Sequence, residues 1–349
     1  MEHMDIFARL PGVLLDWYQT NKRDLPWRAD REPYHVWLSE IMLQQTRVEA
    51  VKGYYGRFLR ALPTIESLAC ADDELLHKLW EGLGYYSRVR NLKKAAVQIM
   101  ERCGGVFPEE YHQVLTLPGI GEYTAGAICS IAFDQPTPAV DGNVLRVAAR
   151  LTDDSTPVDS PSYKAAVRAA LAKVYPADAG AFTQALMELG ATVCGPNRKP
   201  DCPNCPCRDF CLGCRNGTAE QLPVKTPKRP RRVEEMTVFI LSCGGCYAVQ
   251  KRSSKGLLAG LWQFPNVPGK LETETALAQV EQMGLKPVEI MRQVERKHIF
   301  THIQWDMRGV YVEVEDTNSD YTWLTEEEIR TQAALPTAFR QFWEEIDHV

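Results

Sequence analysis

Apolar positions recur every three or four residues along most of the chain between residues 6 and 193. Residues 37–51, 73–83 and 163–174 show this spacing most clearly, because each window can bury one face of a helix. Short breaks containing glycine or proline separate such windows, and these residues interrupt helices. The pattern predicts an all-α region.

The period of the pattern changes near residue 235. Residues 236–242, 247–251 and 308–315 are rich in β-branched and aromatic side chains and predict strands. Two helical stretches, 274–283 and 326–333, lie among them. The second half of the chain therefore has the pattern of an α+β domain.

The two halves are joined by a basic, proline-rich stretch. Its segment LPVKTPKRPRR, residues 222–232, holds three prolines, five basic residues and no acidic residue. Prolines keep such a segment semi-extended, so it can be a solvated tether, a supplementary contact for phosphate groups, or both. We predict a helical domain at 1–220, a linker at 221–234 and an α+β domain at 235–349.

The composition is that of a globular chain, with 45% hydrophobic and 24% charged residues. No apolar run approaches the roughly 20 residues that a membrane-spanning helix needs. Glu2, Asp5 and Arg9 also make the N-terminal segment unlike a signal peptide. We therefore expect no membrane partner and a cytoplasmic location.

The formal net charge of −5 comes from the second half of the chain. Residues 1–233 hold 29 lysines and arginines against 27 acidic residues, whereas residues 234–349 hold 11 against 18. Phosphate binding depends on local basic clusters rather than on the sum of charges. An acidic chain is therefore compatible with a nucleic-acid partner.

The segment LPGIGEYTAGAI, residues 117–128, lies between two helical runs. Gly119 and Gly121 permit a tight turn, after which the backbone N–H groups at the start of the next helix can face an anion. This is the form of a helix-hairpin-helix, which grips a DNA phosphate without recognising base sequence. A plain turn between packed helices is the alternative.

Cysteines are concentrated in one short stretch, since six of the eleven lie within residues 194–214. Without a secretion signal, such crowding favours a metal or iron–sulfur site over disulfides. Four of them, separated by seven, two and five residues, suit a 4Fe–4S cluster: Cys194, Cys202, Cys205 and Cys211. Zinc is the competing metal, because Cys202/Cys205 and Cys211/Cys214 form two C-x-x-C pairs.

Four other cysteines do not belong to this predicted set. Cys207 and Cys214 lie inside the same stretch, and Cys243 and Cys246 form a C-G-G-C segment. We predict that the C-G-G-C segment is a turn between two strands rather than a second site.

Two carboxylates stand out by their surroundings. Glu40 lies inside an apolar helical run, where burial should raise its pKa and favour a proton donor near neutral pH. Asp141, in VDGNVLRV, precedes a helix and can serve as its N-cap. Hydrolysis of an N-glycosidic bond needs a proton for the base and a negative charge near the developing oxocarbenium ion, and two carboxylates in different environments meet both needs.

Taken in order, the hairpin, the aspartate in VDGNV and the four-cysteine loop resemble the endonuclease III superfamily. Within it the chain resembles adenine DNA glycosylases of the MutY type over essentially its whole length. Further matching segments are RDLPWR at 23–28, PYHVWLSEIMLQQTRV at 33–48 and WEGLGYYSRVRNL at 80–92. The resemblance implies a repair enzyme that acts on double-stranded DNA as a monomer.

One position distinguishes members of the superfamily. Bifunctional members carry a lysine nucleophile two residues after the second glycine of the hairpin, where this chain has Tyr123. A phenol cannot form a Schiff base, so a monofunctional enzyme that leaves an abasic site is expected. By resemblance, Glu40 protonates adenine and later helps to activate water, and Asp141 stabilises the cationic sugar with help from Tyr123 and Asn143.

The resemblance also implies residues that bind the substrate. The bond becomes accessible when adenine flips out of the duplex into a pocket. The residues that frame this pocket are expected to be Arg23, Trp27, Arg28, Leu43 and Glu188. Gln45 and Tyr85 match residues that wedge into the base stack.

The second half resembles the Nudix-like domain that recognises 8-oxoguanine opposite the adenine. Phe300, Thr301 and His302 take the place of the family's Phe-Ser-His loop, and Thr301 keeps the hydroxyl while adding a methyl group. The expected substrate is duplex DNA with adenine opposite 8-oxoguanine or guanine. The segment ALAQVEQMG has a single glutamate, so it lacks the carboxylates that a magnesium-dependent Nudix hydrolase needs.

The resemblance favours the iron–sulfur cluster over zinc, with one departure. The family usually has six residues between its first two cysteines, and this chain has seven. Whether Cys207 or Cys214 substitutes for a neighbouring ligand therefore stays open.

Three rival functions are a pyrimidine-specific glycosylase of the same superfamily, a non-catalytic lesion binder and a Nudix hydrolase. The second domain, the carboxylate pair and the missing magnesium ligands argue against them in turn.

Overall fold

The computed structural model describes residues 6–196, 199–227 and 230–346. The chain divides into two compact units, Met1–Cys70 with Asn91–Pro227, and Ala71–Arg90 with Lys228–Val349. This division differs from the predicted boundaries, because residues 71–90 group with the second unit. No helix among the described residues is both long and apolar enough to cross a membrane.

Helices and their connections make up the described part of the chain before the sheet, and the all-α region predicted between residues 6 and 193 is confirmed. Its α-helices are α1 (Leu10–Asn21), α2 (Pro33–Leu43), α3 (Val48–Ala61), α4 (Ile65–Cys70), α5 (Asp73–Trp80), α6 (Ser87–Cys103), α7 (Tyr111–Leu115), α8 (Glu122–Phe133), α9 (Gly142–Thr152), α10 (Pro161–Ala172), α11 (Ala179–Thr192) and α12 (Leu212–Arg215). Short 3-10 helices occupy Pro26–Arg28, Cys202–Asn204 and Arg208–Phe210.

One predicted helical window contains a break. Residues 37–51 fall on two helices, because α2 ends at Leu43 and α3 begins at Val48. Gln45, in the connection, has a left-handed backbone with φ 58°. That conformation cannot continue an α-helix, and periodicity alone does not reveal it.

One hydrophobic cluster of the first unit is formed by α1, α9, α10 and α11. Leu10, Leu14, Val147 and Phe182 are buried in one cluster, and each such side chain contributes roughly 1.5–3 kcal/mol by leaving water. Gly190 lets α11 approach the start of α9, since a Cβ there would lie 2.7 Å from Cβ of Asn143. This packing fixes the N-terminus of α9, where Asp141 lies.

The second unit contains a seven-stranded sheet with central order β3-β2-β1-β6-β5. The strands are β1 (Arg232–Cys243), β2 (Cys246–Lys251), β3 (Trp262–Gln263), β4 (Asn266–Pro268), β5 (Pro287–Ile299), β6 (Ile303–Val314) and β7 (Thr322–Thr325). Strands β1 and β6 are parallel, and the other pairings are antiparallel. The three predicted strands correspond to β1, β2 and β6, whereas β3, β4, β5 and β7 have no counterpart in the prediction.

Helices cover both faces of this sheet. They are α13 (Thr273–Gln282), α14 (Glu326–Thr331) and α15 (Thr337–Trp343). Val238 and Ile240 of β1 join one buried cluster with Phe342 of α15, while Phe239 joins another with Val280 of α13. Because successive side chains of a strand point to opposite faces, β1 contributes to both cores.

Polar contacts attach segment 71–90 to the rest of the second unit. Glu74 accepts a 2.9 Å hydrogen bond from Nε1 of Trp262 and forms a 2.5 Å ion pair with Lys251. Oε1 of Glu81 accepts a 2.9 Å bond from the Leu335 amide. These contacts explain why α5 groups with the sheet rather than with the helices that flank it in sequence.

Candidate active site

Glu40 lies on α2, which is buried from Val36 to Met42. Its side chain is 5% exposed, and Oε2 accepts a 2.5 Å hydrogen bond from the Tyr123 hydroxyl. Burial and, to a smaller extent, the Asp141 charge raise the pKa of Glu40. The Tyr123 bond and the Arg28 charge oppose this rise, and the resulting pKa is about 7. The carboxyl group is therefore part protonated near neutral pH, as the sequence predicted.

Asp141 is the N-cap of α9, as predicted. Its Oδ1 accepts a 2.7 Å bond from the Val144 amide, and its Oδ2 accepts a 2.7 Å bond from Nδ2 of Asn143. Arg146 orients that amide by donating a 2.9 Å bond to Oδ1 of Asn143. Burial raises the pKa of Asp141, and the hydrogen bonds from Val144 and Asn143 oppose the rise by stabilising the carboxylate.

Both carboxylates line a cavity of about 870 Å³ in the first unit. The other predicted residues that line it are Arg23, Trp27, Arg28, Leu43, Gln45, Gly121, Tyr123, Asn143 and Glu188. Every predicted catalytic and pocket-framing residue thus surrounds one space. Gly119 lies outside the lining, and Tyr85, Phe300, Thr301 and His302 belong to the second unit.

Glu188 anchors one wall of the cavity through a buried ion-pair network. Its side chain is fully buried and accepts bonds of 2.6 and 3.0 Å from Arg23 and of 2.8 Å from Arg28. Burial alone would raise the pKa of Glu188, but the hydrogen bonds and charges of both arginines outweigh it and lower the pKa. The two guanidinium groups are therefore held in place by a carboxylate that stays ionised.

Sequence reasoning missed basic residues at the cavity. Lys164 and Arg168 of α10 line it, and Arg168 forms a 2.5 Å ion pair with Glu122 at the start of α8. Their positions in the sequence give no signal. Lys225 of the basic stretch also lines the cavity, which favours the phosphate-contact interpretation of that stretch.

The predicted hairpin joins α7 to α8 over residues 116–121. Gly119 has φ 79°, and a Cβ there would lie 2.7 Å from Cβ of Asn91. Gly121 is the N-cap of α8 and provides no side chain to cap its first turn. The first N–H groups of α8 are therefore not capped by a side chain, as an anion-binding turn requires.

In the second unit, Phe300 is held between His298 and Trp305, with ring centroids 4.5 and 4.8 Å away. The hydroxyl of Thr301 lies 3.2 Å from that of Tyr85. Thr301 and His302 are exposed, and Tyr85 is 46% exposed. Two residues that the resemblance places against DNA, Tyr85 and Thr301, therefore meet within this unit.

The predicted metal ligands surround a small cavity of about 20 Å³. Cys194, Cys202, Cys205 and Cys211 line it together with Cys214. No group of three or more His, Cys, Asp or Glu side chains within residues 6–196, 199–227 and 230–346 is arranged to hold a metal ion. The metal site therefore stays a prediction, which is supported by the convergence of these thiols.

Three of the other cysteines lie in the core or beside a strand turn. Cys207 is buried in the hydrophobic core of the first unit. Cys243 and Cys246 are paired directly across the turn between β1 and β2, so the predicted strand turn at C-G-G-C is confirmed.

Two family models match the chain. The model of the HhH-GPD superfamily base excision DNA repair proteins matches residues 38–175, and a NUDIX domain model matches residues 237–345. The fold and site are accordingly those of a base excision repair enzyme with a helical glycosylase domain followed by a Nudix-like domain.

Comparison with known proteins shows which family of repair enzymes the chain belongs to. The chain is 37% identical to the human adenine DNA glycosylase, over 95% of this chain and 72% of the human protein. It is 36% identical to the mouse enzyme (94% and 76%) and 32% identical to that of Buchnera aphidicola (85% and 83%). The chain belongs to the adenine DNA glycosylase family.

Solved structures agree with this fold. A thermostable thymine-DNA glycosylase is 27% identical, with a TM-score of 0.53, over 61% of this chain and 97% of that chain. Endonuclease III in a non-covalent DNA complex is 23% identical, with a TM-score of 0.50, over 58% and 94%. The second likeness concerns the fold alone.

Proposed function

We propose that this enzyme hydrolyses the N-glycosidic bond of adenine paired with 8-oxoguanine or guanine in duplex DNA and leaves an abasic site. The observation that carries the proposal is the carboxylate pair at one cavity. Glu40 has a pKa raised to about 7 by burial, whereas Asp141 accepts two hydrogen bonds that favour its ionised form. The two environments therefore supply an acid and a negative charge at the same site.

Glu40 is the general acid. As the bond between sugar and adenine breaks, its electron pair goes to the base, and the Glu40 proton is transferred to a base nitrogen. The resulting carboxylate then takes a proton from the water that adds to the sugar. Asp141 stabilises the cationic sugar between these steps, with its orientation fixed by Val144 and Asn143. Tyr123 stands where a lysine would be needed for strand cleavage, so hydrolysis is the only step.

We infer that Cys194, Cys202, Cys205 and Cys211 hold a 4Fe–4S cluster. Four thiols from one short loop suit this group, and NH1 of Arg150 lies 3.2 Å from Sγ of Cys194, where it can stabilise a thiolate. The cluster would supply a fixed shape to residues 194–214.

Recognition of the lesion is assigned to the second unit. Phe300 is held in place by two rings, which leaves Thr301 and His302 exposed for the base opposite adenine. Gly119 and Gly121 would contact a phosphate through the backbone of the hairpin. A monomeric enzyme that acts on the bacterial nucleoid in the cytoplasm completes the proposal.

Single-turnover release of adenine from a duplex with one adenine opposite 8-oxoguanine tests the proposal. We expect release from this duplex and from an adenine–guanine mispair, an intact abasic strand, and no release from a matched adenine–thymine duplex. Glu40→Gln should bind the lesion duplex but release adenine about 10²–10⁴-fold more slowly. Equal release by this variant would refute the role of Glu40.

A further inference from the structure

Five thiols line the small cavity of the cysteine loop, one more than a cluster with four cysteine ligands needs. The fifth belongs to Cys214. Cys207, although closer in sequence to two predicted ligands, is buried in the hydrophobic core and does not line the cavity. The surplus thiol at the site is therefore Cys214.

The five thiols fall into two groups. Cys194, Cys205 and Cys211 pack against the hydrophobic core of the first unit. Among the described residues, Cys202 and Cys214 are outside that packing, and their thiols are hydrogen-bonded to each other. Three thiols thus lie on the core side of the cavity, and two share the remaining corner.

The chain fixes Cys214 in this corner. It lies on α12, and its backbone N–H donates to the Cys211 sulfur. Gly213 sets α12 against α9, since a Cβ there would lie 2.6 Å from the Arg150 carbonyl oxygen. Cys202 instead follows a connection of seven residues from Cys194. Cys214 therefore lies on a helix that packs closely against α9, whereas Cys202 begins a short 3-10 helix after that connection.

We propose that Cys214 is an alternative ligand for the corner that Cys202 occupies, a role that rests on the proposed 4Fe–4S cluster. In the exchange, the bond from iron to the Cys202 sulfur breaks and Cys202 takes up a proton. The Cys214 thiol releases its proton to solvent as its sulfur binds the same iron. No electron is transferred.

Iron and acid-labile sulfide per chain, measured on the full-length protein purified without oxygen, test the exchange. The wild type should hold about four of each, and Cys214→Ser should equal it. Cys202→Ser should keep more than half of the iron, whereas Cys202→Ser/Cys214→Ser should fall at least fivefold. Cys194→Ser is the matched control, because Cys194 also lies on the core side and its sulfur is hydrogen-bonded to Arg150 rather than to a surplus thiol, and its iron content should also fall at least fivefold.

Alkylation with iodoacetamide followed by peptide mass spectrometry gives a second reading that does not depend on yield. In the loaded wild type we expect modification of Cys214 and protection of Cys202. In loaded Cys202→Ser, Cys214 should become protected.

Two outcomes would overturn the proposal. Loss of iron in Cys202→Ser as complete as in Cys194→Ser, with Cys214 alkylated, would exclude the exchange without contradicting a cluster in the wild type. A wild type that holds neither iron nor sulfide, even after reconstitution, would instead refute the cluster and the exchange together.

Discussion

The hydroxyl of Tyr123 donates a 2.5 Å hydrogen bond to Oε2 of Glu40 at the wall of the active-site cavity. Burial raises the pKa of Glu40, and this bond lowers it because a carboxylate accepts more strongly than a carboxylic acid. In the proposed mechanism, Tyr123 therefore keeps Glu40 from becoming too weak a proton donor. Tyr123 thus has two effects: it takes the position at which bifunctional enzymes carry a lysine nucleophile, and it lowers the pKa of Glu40.

Replacing Tyr123 with phenylalanine tests this tuning. Base release requires protonated Glu40, so its rate should fall about tenfold per pH unit above a pKa of about 7. Without the phenol the pKa of Glu40 rises, and the descending limb should move to higher pH. Single-turnover rates between pH 5.5 and 9 measure the limb. Tyr111→Phe, in a helix before the hairpin, should leave it in place, and a limb that moves to lower pH in Tyr123→Phe would contradict the assignment.

Glu40 should also destabilise the folded protein at high pH. Its pKa in the folded state is about 7 against a reference of 4.5, so its contribution to the free energy of unfolding is most favourable below about pH 4.5. This contribution falls as pH rises from about 4.5 to about 7 and is constant above that range, with a total loss of about 3 kcal/mol. Glu40→Gln should therefore be more stable than the wild type at pH 8, by up to that amount, while losing activity.

Urea unfolding at pH 5 and pH 8 measures this difference. Glu101→Gln changes an exposed glutamate of α6 and is the matched control, with an expected change within about 0.5 kcal/mol at either pH. The free energy of unfolding of Glu40→Gln, relative to the wild type, should increase from pH 5 to pH 8. An unchanged difference would show that the carboxyl group is better solvated than its burial indicates.

Gln45 and Tyr85, the two residues expected to wedge into the base stack, both have left-handed backbones, with φ 58° and 48°. Residues other than glycine occupy this region at a cost of about 1–2 kcal/mol. Gln45→Gly should therefore unfold with a free energy about 0.5–1 kcal/mol above that of Gln45→Ala, after the greater chain entropy of glycine is deducted. Both variants lack the side chain and should excise adenine equally slowly from duplex DNA. Equal stability of the two variants would argue against stored strain at this turn.

Much of the fold could be predicted because its signals are local. Helical spacing, the two hairpin glycines and an acid inside an apolar run are properties of short windows, and each corresponds to an observed element. The grouping of segment 71–90 with the sheet could not be predicted. The pattern of an amphipathic helix such as α5 shows which face is buried, but it does not show which element covers that face. Strand β5 was missed because charged residues, including Arg292, Glu295 and Lys297, interrupt its apolar alternation at the edge of the sheet.

The same distinction holds for the active site. Glu40 and Asp141 could be selected by their local surroundings and by resemblance, whereas Arg168 and Lys164 reach the cavity only through the packing of α10. The corner shared by Cys202 and Cys214 was also hidden. Spacing counts the thiols in a loop, but it does not tell which of them face the same point.

The two glycines of the hairpin should respond differently to a single added methyl group. Gly119 has φ 79°, and its Cβ would collide with Asn91, whereas Gly121 has φ −101° and nothing within 4 Å of a Cβ. Gly119→Ala should lower the free energy of unfolding by at least about 1–2 kcal/mol and weaken binding to any duplex, because the displaced turn misplaces its backbone N–H groups. Gly121→Ala should retain the stability of the wild type within about 0.5 kcal/mol. Urea unfolding and fluorescence anisotropy with an undamaged duplex measure the two effects. Equal affinity of both variants for DNA would mean that the phosphate contact lies elsewhere.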